Sequence, residues 1–332
     1  MNSTTPAAAA LPTFVINLDS QPGKLSDVLS RISGCANSHV LDVQRFRAVN
    51  AVGKSLEDFT RQTQHPLVVV SLFASRVITM GERRYHAQMT SMGAIGCYLS
   101  HFSLWKKCVE LNRPIVVMED DVAFSQPGLL IQAVKWCVGK MDADEVDMVS
   151  FDFLNMYSVT SKDHPVFSTP IGSLHRIVRP FFGLAMYMIH PRAAALLVET
   201  ALPIEVQVDA YISMRSDPYL SKVLGLKELR LYGFMLHGKH RIAFQQNSSS
   251  SIQRDDCETC ERNLAITDAT SEPDPRNRFG SSMSLLRDAT LSSSTSSSSS
   301  TSRLMITCLV CVIVILLIIL AFTATRPRLH KP

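Results

Sequence analysis

Between Thr13 and about residue 255, short apolar runs rich in β-branched residues alternate with stretches whose apolar positions recur every three or four residues. Thr13-Phe-Val-Ile-Asn-Leu18 reads as a first strand, with Gln21-Pro22-Gly23 as the breaker after it. Leu25, Val28, Leu29 and Ile32 then share one helical face. Arg45–Val49 predicts a second strand. Ile95, Tyr98, Leu99, Phe102, Trp105 and Val109 predict an amphipathic helix over about Ala94–Leu111, ended by Asn112 and Pro114, with Trp105 in the core. Ile115–Met118 is a buried-type strand, Leu129–Val138 looks helical, and Val146–Phe151 and Leu184–Ile189 look like strands. Pro191 opens a further helix in the first-turn position that proline tolerates. The alternation predicts an α/β fold, a mixed and mainly parallel sheet flanked by helices. Ligands of such sheets collect beyond the carboxyl ends of the strands.

Composition sets the limits. A chain that is 46% apolar and 19% charged is not disordered throughout. The net charge of +4 comes with no concentrated basic stripe, so no nucleic-acid partner is expected. Residues 1–12 lack the basic and apolar segments of a secretory signal and read as a disordered N-terminus. Residues 13–255 hold every plausible core element. Residues 256–303 read as a flexible linker, with Ser or Thr at every position from Ser292 to Ser302. Leu304–Ala324 carries no charge over 21 residues. As a helix it would span about 31 Å, close to the roughly 30 Å core of a bilayer, and it predicts a transmembrane helix. Residues 325–332 form a short basic tail.

This arrangement implies a single-pass C-terminal anchor in the lipid bilayer with residues 1–303 on the cytosolic side. The basic tail would then cross the membrane against the positive-inside bias, so the lumenal orientation stays open. Among the cysteines, Cys35, Cys97, Cys108 and Cys137 read as buried free thiols. Cys257-Glu-Thr-Cys260 has no second pair to complete a zinc site.

Glu119-Asp120-Asp121 directly follows the strand Ile115–Met118. Three adjacent carboxylates stay ionised together only if solvated, hydrogen-bonded or bound to a cation. Hard oxygen ligands suit Mg²⁺ or Mn²⁺, often shared with nucleotide phosphates. A solvated acidic turn is the other reading of the triplet taken alone.

Met92-Gly-Ala-Ile-Gly-Cys-Tyr-Leu-Ser-His101, Leu104-Trp105 and Pro114-Ile-Val-Val-Met-Glu-Asp-Asp-Val122 together resemble the signature of glycosyltransferase family 25. That family includes bacterial lipooligosaccharide galactosyltransferases and procollagen galactosyltransferases. Phe14–Asp19, Phe46–Asn50, Gly183–Ile189, Ala193–Leu197 and Asp209 agree with it in order, so the resemblance covers about residues 13–255. It implies a GT-A fold, a UDP-sugar donor and inversion at the anomeric carbon. Glu119, Asp120 and Asp121 fall on the family's DxD-like motif and imply Mn²⁺ (or Mg²⁺). His237, just after the strand-like Leu229–Leu236, is a further metal-ligand candidate.

The resemblance also points to groups around the donor. Asn17 and Asp19 would contact uracil or ribose, or else cap a turn. Ser100 and His101 lie in the best-matched motif; His101 would reach a donor phosphate, or remain in its helix held by hydrogen bonds. Ser20–Gly23 departs from the basic residues usual after the first strand, and Lys24 would supply that charge. Gln245 or Gln246 matches a late glutamine near the nucleotide pocket. An acceptor hydroxyl needs a base, for which Asp209 is the candidate and Asp152 the rival. The expectation is a membrane-anchored transferase moving galactose, or glucose, to a hydroxyl of a glycan or protein acceptor. The alternative is the same fold displayed at a membrane for binding, without catalysis.

Overall fold

The computed structural model describes residues 10–57, 69–80, 87–89, 91–152, 164, 166–179, 181, 183–223, 225–237 and 241–246. All of them fall in one compact unit, within Met1–Ala269. Residues 1–9 of the expected N-terminal tail 1–12, the linker, the span Leu304–Ala324, the basic tail and Cys257–Cys260 lie outside the described residues; Leu11 and Pro12 of that tail are instead buried and strand-paired with Leu41 and Asp42. Among the described residues, no helix is long and apolar enough to cross a membrane.

An eight-stranded mixed sheet organises the fold, in the order β2-β1-β3-β8-β5-β9-β7-β6. Its members are β1 (Leu11–Asn17), β2 (Leu41–Arg47), β3 (Ile115–Glu119), β5 (Met148–Ser150), β6 (Phe167–Ser168), β7 (Gly172–Arg176), β8 (Met186–Ile189) and β9 (Leu231–Leu236). The strands β2, β1, β3, β5 and β9 run one way; β8 and β7 run against them. The carboxyl ends of β1, β3, β5 and β9 therefore share one edge of the sheet. A second, two-stranded sheet pairs β4 (Val122–Phe124) with β10 (Ala243–Gln245).

Alternation along the strands divides the core into two layers. Phe14 and Ile16 of β1, Ile115 and Val117 of β3, and Tyr187 and Ile189 of β8 pack on one face. Val15, Val116, Met118, Met186 and Met188 pack on the other. The first face is covered by α3 (Met92–Leu111), α5 (Pro191–Thr200) and α6 (Val208–Ser216), the second by α1 (Pro22–Ser33) and α4 (Pro127–Asp142). The helices α2 (Leu72–Met80) and α7 (Pro218–Val223) and a 3-10 turn at Ser38–Val40 complete the described elements. Trp105 is fully buried on the first face, as its helical spacing predicts.

The helix ends follow local chemistry. Ser91 Oγ accepts from the Ala94 N–H at 3.2 Å and starts α3. Asn112, in the left-handed region at φ 48°, ends it. Proline stands at the start of α1, α4 and α5, where its missing N–H costs nothing. Pro22 thus opens a helix instead of breaking the chain. β2 lies earlier than the expected Arg45–Val49. Past Arg47 the chain leaves the ladder, because the Val49 N–H donates to Ser100 Oγ at 2.9 Å. Gly96 permits that approach: a Cβ there would lie 2.4 Å from the Val49 carbonyl oxygen. All four described cysteines are free; Cys35, Cys108 and Cys137 are buried and Cys97 is partly so.

Candidate active site

The shared carboxyl edge of β1, β2 and β3 opens into a cleft of about 660 Å³, counting space continuous with solvent. Asn17, Lys24, Ser100, His101, Gln245 and the triplet Glu119–Asp121 all line it. Strand register explains the triplet's placement. Glu119 follows Ile115 and Val117 on the α3 face, while Asp120 and Asp121 continue past the strand end.

Each carboxylate of the triplet has a different set of neighbours. Glu119 Oε1 lies 3.3 Å from His101 Nε2. The other ring nitrogen, Nδ1, is 3.0 Å from Tyr187 Oη, which in turn accepts from Trp105 Nε1 at 3.0 Å. Asp120 Oδ2 accepts from Asn17 Nδ2 at 2.7 Å. Asn17 is buried at the end of β1, and its own Oδ1 accepts from Arg45 Nε. Asp121 Oδ2 accepts from Gln245 Nε2 at 2.8 Å, while its Oδ1 is buried with no hydrogen-bond partner among the described residues. Pairing of β10 with β4 sets Gln245 opposite Val122 and so beside Asp121. Of the two late glutamines, Gln246 instead accepts from Arg31 through its side chain.

Burial and mutual repulsion make these carboxylates hard to ionise together. Burial pushes Glu119 up to about 8, and Asp152, Asp209 and Asp120 add repulsion. Burial pushes Asp121 up to about 7, with Glu119 the next cause. Asp120 is also raised by burial, against the hydrogen bond from Asn17. Lys24 is the cation that draws all three back down. Burial holds His101 neutral, at about 3.

Hard oxygen donors, mutual repulsion and a buried orphan oxygen on Asp121 fit a divalent cation of the Mg²⁺ or Mn²⁺ type. Cys97 Sγ, His101 Nε2 and a Glu119 oxygen also lie within 4.8 Å of one another, a softer donor set beside the first.

The two candidate bases stand near these carboxylates but differ in what holds them. Asp152 is buried, and its Oδ1 accepts from Arg241 Nη1 at 2.6 Å. Asp209 sits in the first turn of α6. Its Oδ1 accepts from the Ala210 N–H at 2.7 Å, and its Oδ2 faces the Gly183 N–H at 3.5 Å. Gly183, at φ +97°, separates the pair; a Cβ there would lie 3.1 Å from Asp152 Oδ2.

The remaining residues predicted from sequence are placed differently. Ser100 donates to the Gly96 carbonyl and accepts from Val49, so it braces the loop after β2. Asp19 is half exposed and ion-paired with Arg45 and Arg47 at 2.5 and 2.6 Å, which lowers its pKa. His237 does not line the cleft; its Nε2 donates to the Thr169 carbonyl at 3.1 Å. Sequence reasoning passed over Arg45, Tyr187, Gly183 and Arg241. A partial signal existed for the Tyr187 network, since Cys97, His101 and Trp105 recur every four residues along one face of α3.

Comparison with known proteins agrees with the signature. The model of glycosyltransferase family 25 (LPS biosynthesis protein) matches residues 10–212. A glycosyltransferase 25 family member of Drosophila pseudoobscura pseudoobscura is 30% identical over 149 residues, 42% of this chain and 20% of that protein. One of Anopheles gambiae is 30% identical over 119 residues, 33% of this chain and 16% of that protein. The aligned segments thus span a fifth or less of those relatives' lengths. Among solved structures, an active-site mutant of LgtC aligns over 81% of this chain and 99% of its own, at 8% identity and a TM-score of 0.33. The match over residues 10–212 takes in β1, the acidic triplet and Asp209, and the chain belongs to glycosyltransferase family 25.

Proposed function

We propose that this chain transfers a hexose, galactose or glucose, from a UDP-sugar to a hydroxyl of a glycan or protein acceptor, with inversion at the anomeric carbon. Family membership supports the reaction class. The observation that carries the reading is the convergence of Glu119, Asp120 and Asp121 on the cleft at the carboxyl edge, with Asp121 Oδ1 buried and unpaired.

In this reading Asp120 and Asp121, with Glu119 beside them, hold Mn²⁺ or Mg²⁺. The ion supplies charge stabilisation for the departing diphosphate. Asn17 keeps Asp120 oriented through its Nδ2 hydrogen bond. Lys24 adds a positive charge on the same wall. The base is Asp209: it takes the acceptor hydroxyl proton as that oxygen attacks the anomeric carbon and the bond to UDP breaks. Asp152, whose carboxylate is paired with Arg241, is the rival base. The segment Leu304–Ala324 would tether this domain to a membrane and bring it near membrane-associated acceptors.

The deciding measurement is UDP-sugar turnover with Mn²⁺, in wild type and Asp121→Ala. Turnover in the wild type and its loss in the variant are expected. Equal turnover in both would remove the cation assignment, and no turnover with any UDP-hexose would favour the non-catalytic binding protein.

A further inference from the structure

A buried hydrogen-bond chain ends on Glu119, and its direction can be worked out from the atoms alone. The indole Nε1 of Trp105 can only donate, so Tyr187 Oη accepts that bond. The Tyr187 hydroxyl proton must then point elsewhere, and His101 Nδ1 stands 3.0 Å away. To accept it, Nδ1 must be bare. The single proton of the neutral imidazole is therefore on Nε2, 3.3 Å from Glu119 Oε1, which accepts. In the other tautomer Tyr187 Oη would receive two donors, and its own proton would have no acceptor among the described residues.

The chain is assembled across the first core face. His101 and Trp105 stand one turn apart on α3, and Tyr187 reaches them from β8. Trp105, His101 and Tyr187 are all fully buried, so water does not offer alternative partners.

We propose that Trp105 and Tyr187 are positioning residues that lock His101 in its Nε2–H tautomer and thereby hold Glu119 in one orientation at the cleft. None of the three groups behind Glu119 needs to touch substrate. The same proton disfavours the softer donor set of Cys97, His101 and Glu119 as an ion site, since it occupies the position on Nε2 that a metal would take. The consequence for cation binding rests on the function proposed above; the tautomer does not.

Two variants of the full chain test this. In metal-free wild type, side-chain ¹⁵N NMR should show His101 protonated at Nε2 and bare at Nδ1, the signal being assigned by its loss in His101→Gln. Tyr187→Phe keeps the ring and removes the proton that enforces the tautomer. It should shift the His101 ¹⁵N pattern toward a mixture and weaken Mn²⁺ binding, read by electron paramagnetic resonance, by about tenfold, the lower end for loss of an outer partner of a metal ligand.

A Gln at position 101 offers an amide N–H to Glu119 without help from Tyr187. Tyr187→Phe should therefore cost little further Mn²⁺ affinity in that background. An unchanged His101 pattern in Tyr187→Phe would overturn the proposal. So would a shifted tautomer with unaltered Mn²⁺ affinity, or the same tenfold loss in the Gln background. A wild type that shows the expected tautomer but binds no Mn²⁺ would uphold the chain and overturn the cation assignment instead.

Discussion

Two clusters of carboxylates sit at opposite edges of the same sheet, and they are neutralised in opposite ways. At the amino edge of β5 and β9, Asp147 is buried and receives two arginines. Arg192 Nε donates to its Oδ1 at 2.8 Å; Arg230 donates to its Oδ2 through Nε at 3.1 Å and through the backbone N–H at 2.9 Å. Asp144 pairs with the same two guanidiniums. At the carboxyl edge, Glu119, Asp120 and Asp121 share the influence of Lys24, and Asp121 keeps a buried oxygen with no partner among the described residues. The first cluster is complete as it stands and ties α5 to the strands. The second has no such guanidinium pair among the described residues, and in the function proposed above a divalent cation completes it. An acidic cluster is therefore informative when its neutralisation is missing, not when carboxylates are merely numerous.

The contrast can be broken by removing one charge from each edge. Asp121→Asn should lower UDP-sugar turnover by on the order of 100-fold or more, as expected when charge stabilisation of a leaving group is lost. Its thermal midpoint should hold or rise, because one repelling charge has gone. Asp147→Ala should do the reverse. It should cost about 3 kcal/mol of stability in chemical denaturation, the low end for breaking a buried pair, since Arg192 and Arg230 are 39% and 36% exposed and stay solvated. Turnover per folded molecule should survive. If Asp121→Asn proved the more unstable variant, the carboxyl edge would be a structural device and the comparison would fail.

A pH series sharpens the same contrast. Glu119 sits at about 8 in the folded protein against an ordinary 4.5, and Asp121 at about 7 against 3.8. Across that window the folded chain binds more protons than the unfolded one. Stability of the metal-free protein should therefore fall as pH rises from about 5 to about 8. Saturating Mn²⁺ should flatten the slope by favouring the ionised carboxylates, and Asp121→Asn should reduce it without metal. Denaturant midpoints along the series give the answer; a metal-free slope of the opposite sign would contradict the burial assigned to the triplet.

How far this edge could be read from sequence depends on distance along the chain. The helix α3, the strand Ile115–Met118 and the triplet after it were legible because each is a local pattern of period or apolar run. The α/β class with its large mixed sheet held for the same reason, and three of the four expected buried thiols, Cys35, Cys108 and Cys137, were legible from their apolar surroundings. What could not be read was pairing. Tyr187 meets Trp105 across 82 residues, and only the antiparallel register of β3 with β8 brings it there. Arg241 reaches Asp152 across 89 residues. Pro22 misled as a breaker because the same residue both ends strands and opens helices, and only the following helical spacing separates the two uses.

The smallest expected effect concerns Gln245, which the short β4–β10 pair delivers to Asp121. Its Nε2 donates to Oδ2 at 2.8 Å and draws Asp121 toward the ionised form, against burial. Gln245 is exposed, so water can replace part of what it provides. Gln245→Ala should therefore weaken Mn²⁺ binding about fivefold, equivalent to roughly 1 kcal/mol for an ordinary hydrogen bond. Gln246→Ala is the control. Its side chain accepts from Arg31, while its contact to the Asp121 carbonyl is made by the backbone N–H and survives the substitution. Titration of Mn²⁺ into both variants separates them: a loss confined to Gln245→Ala ties the late glutamine to the triplet, whereas equal losses would mean that β10 matters only as a strand that closes the cleft.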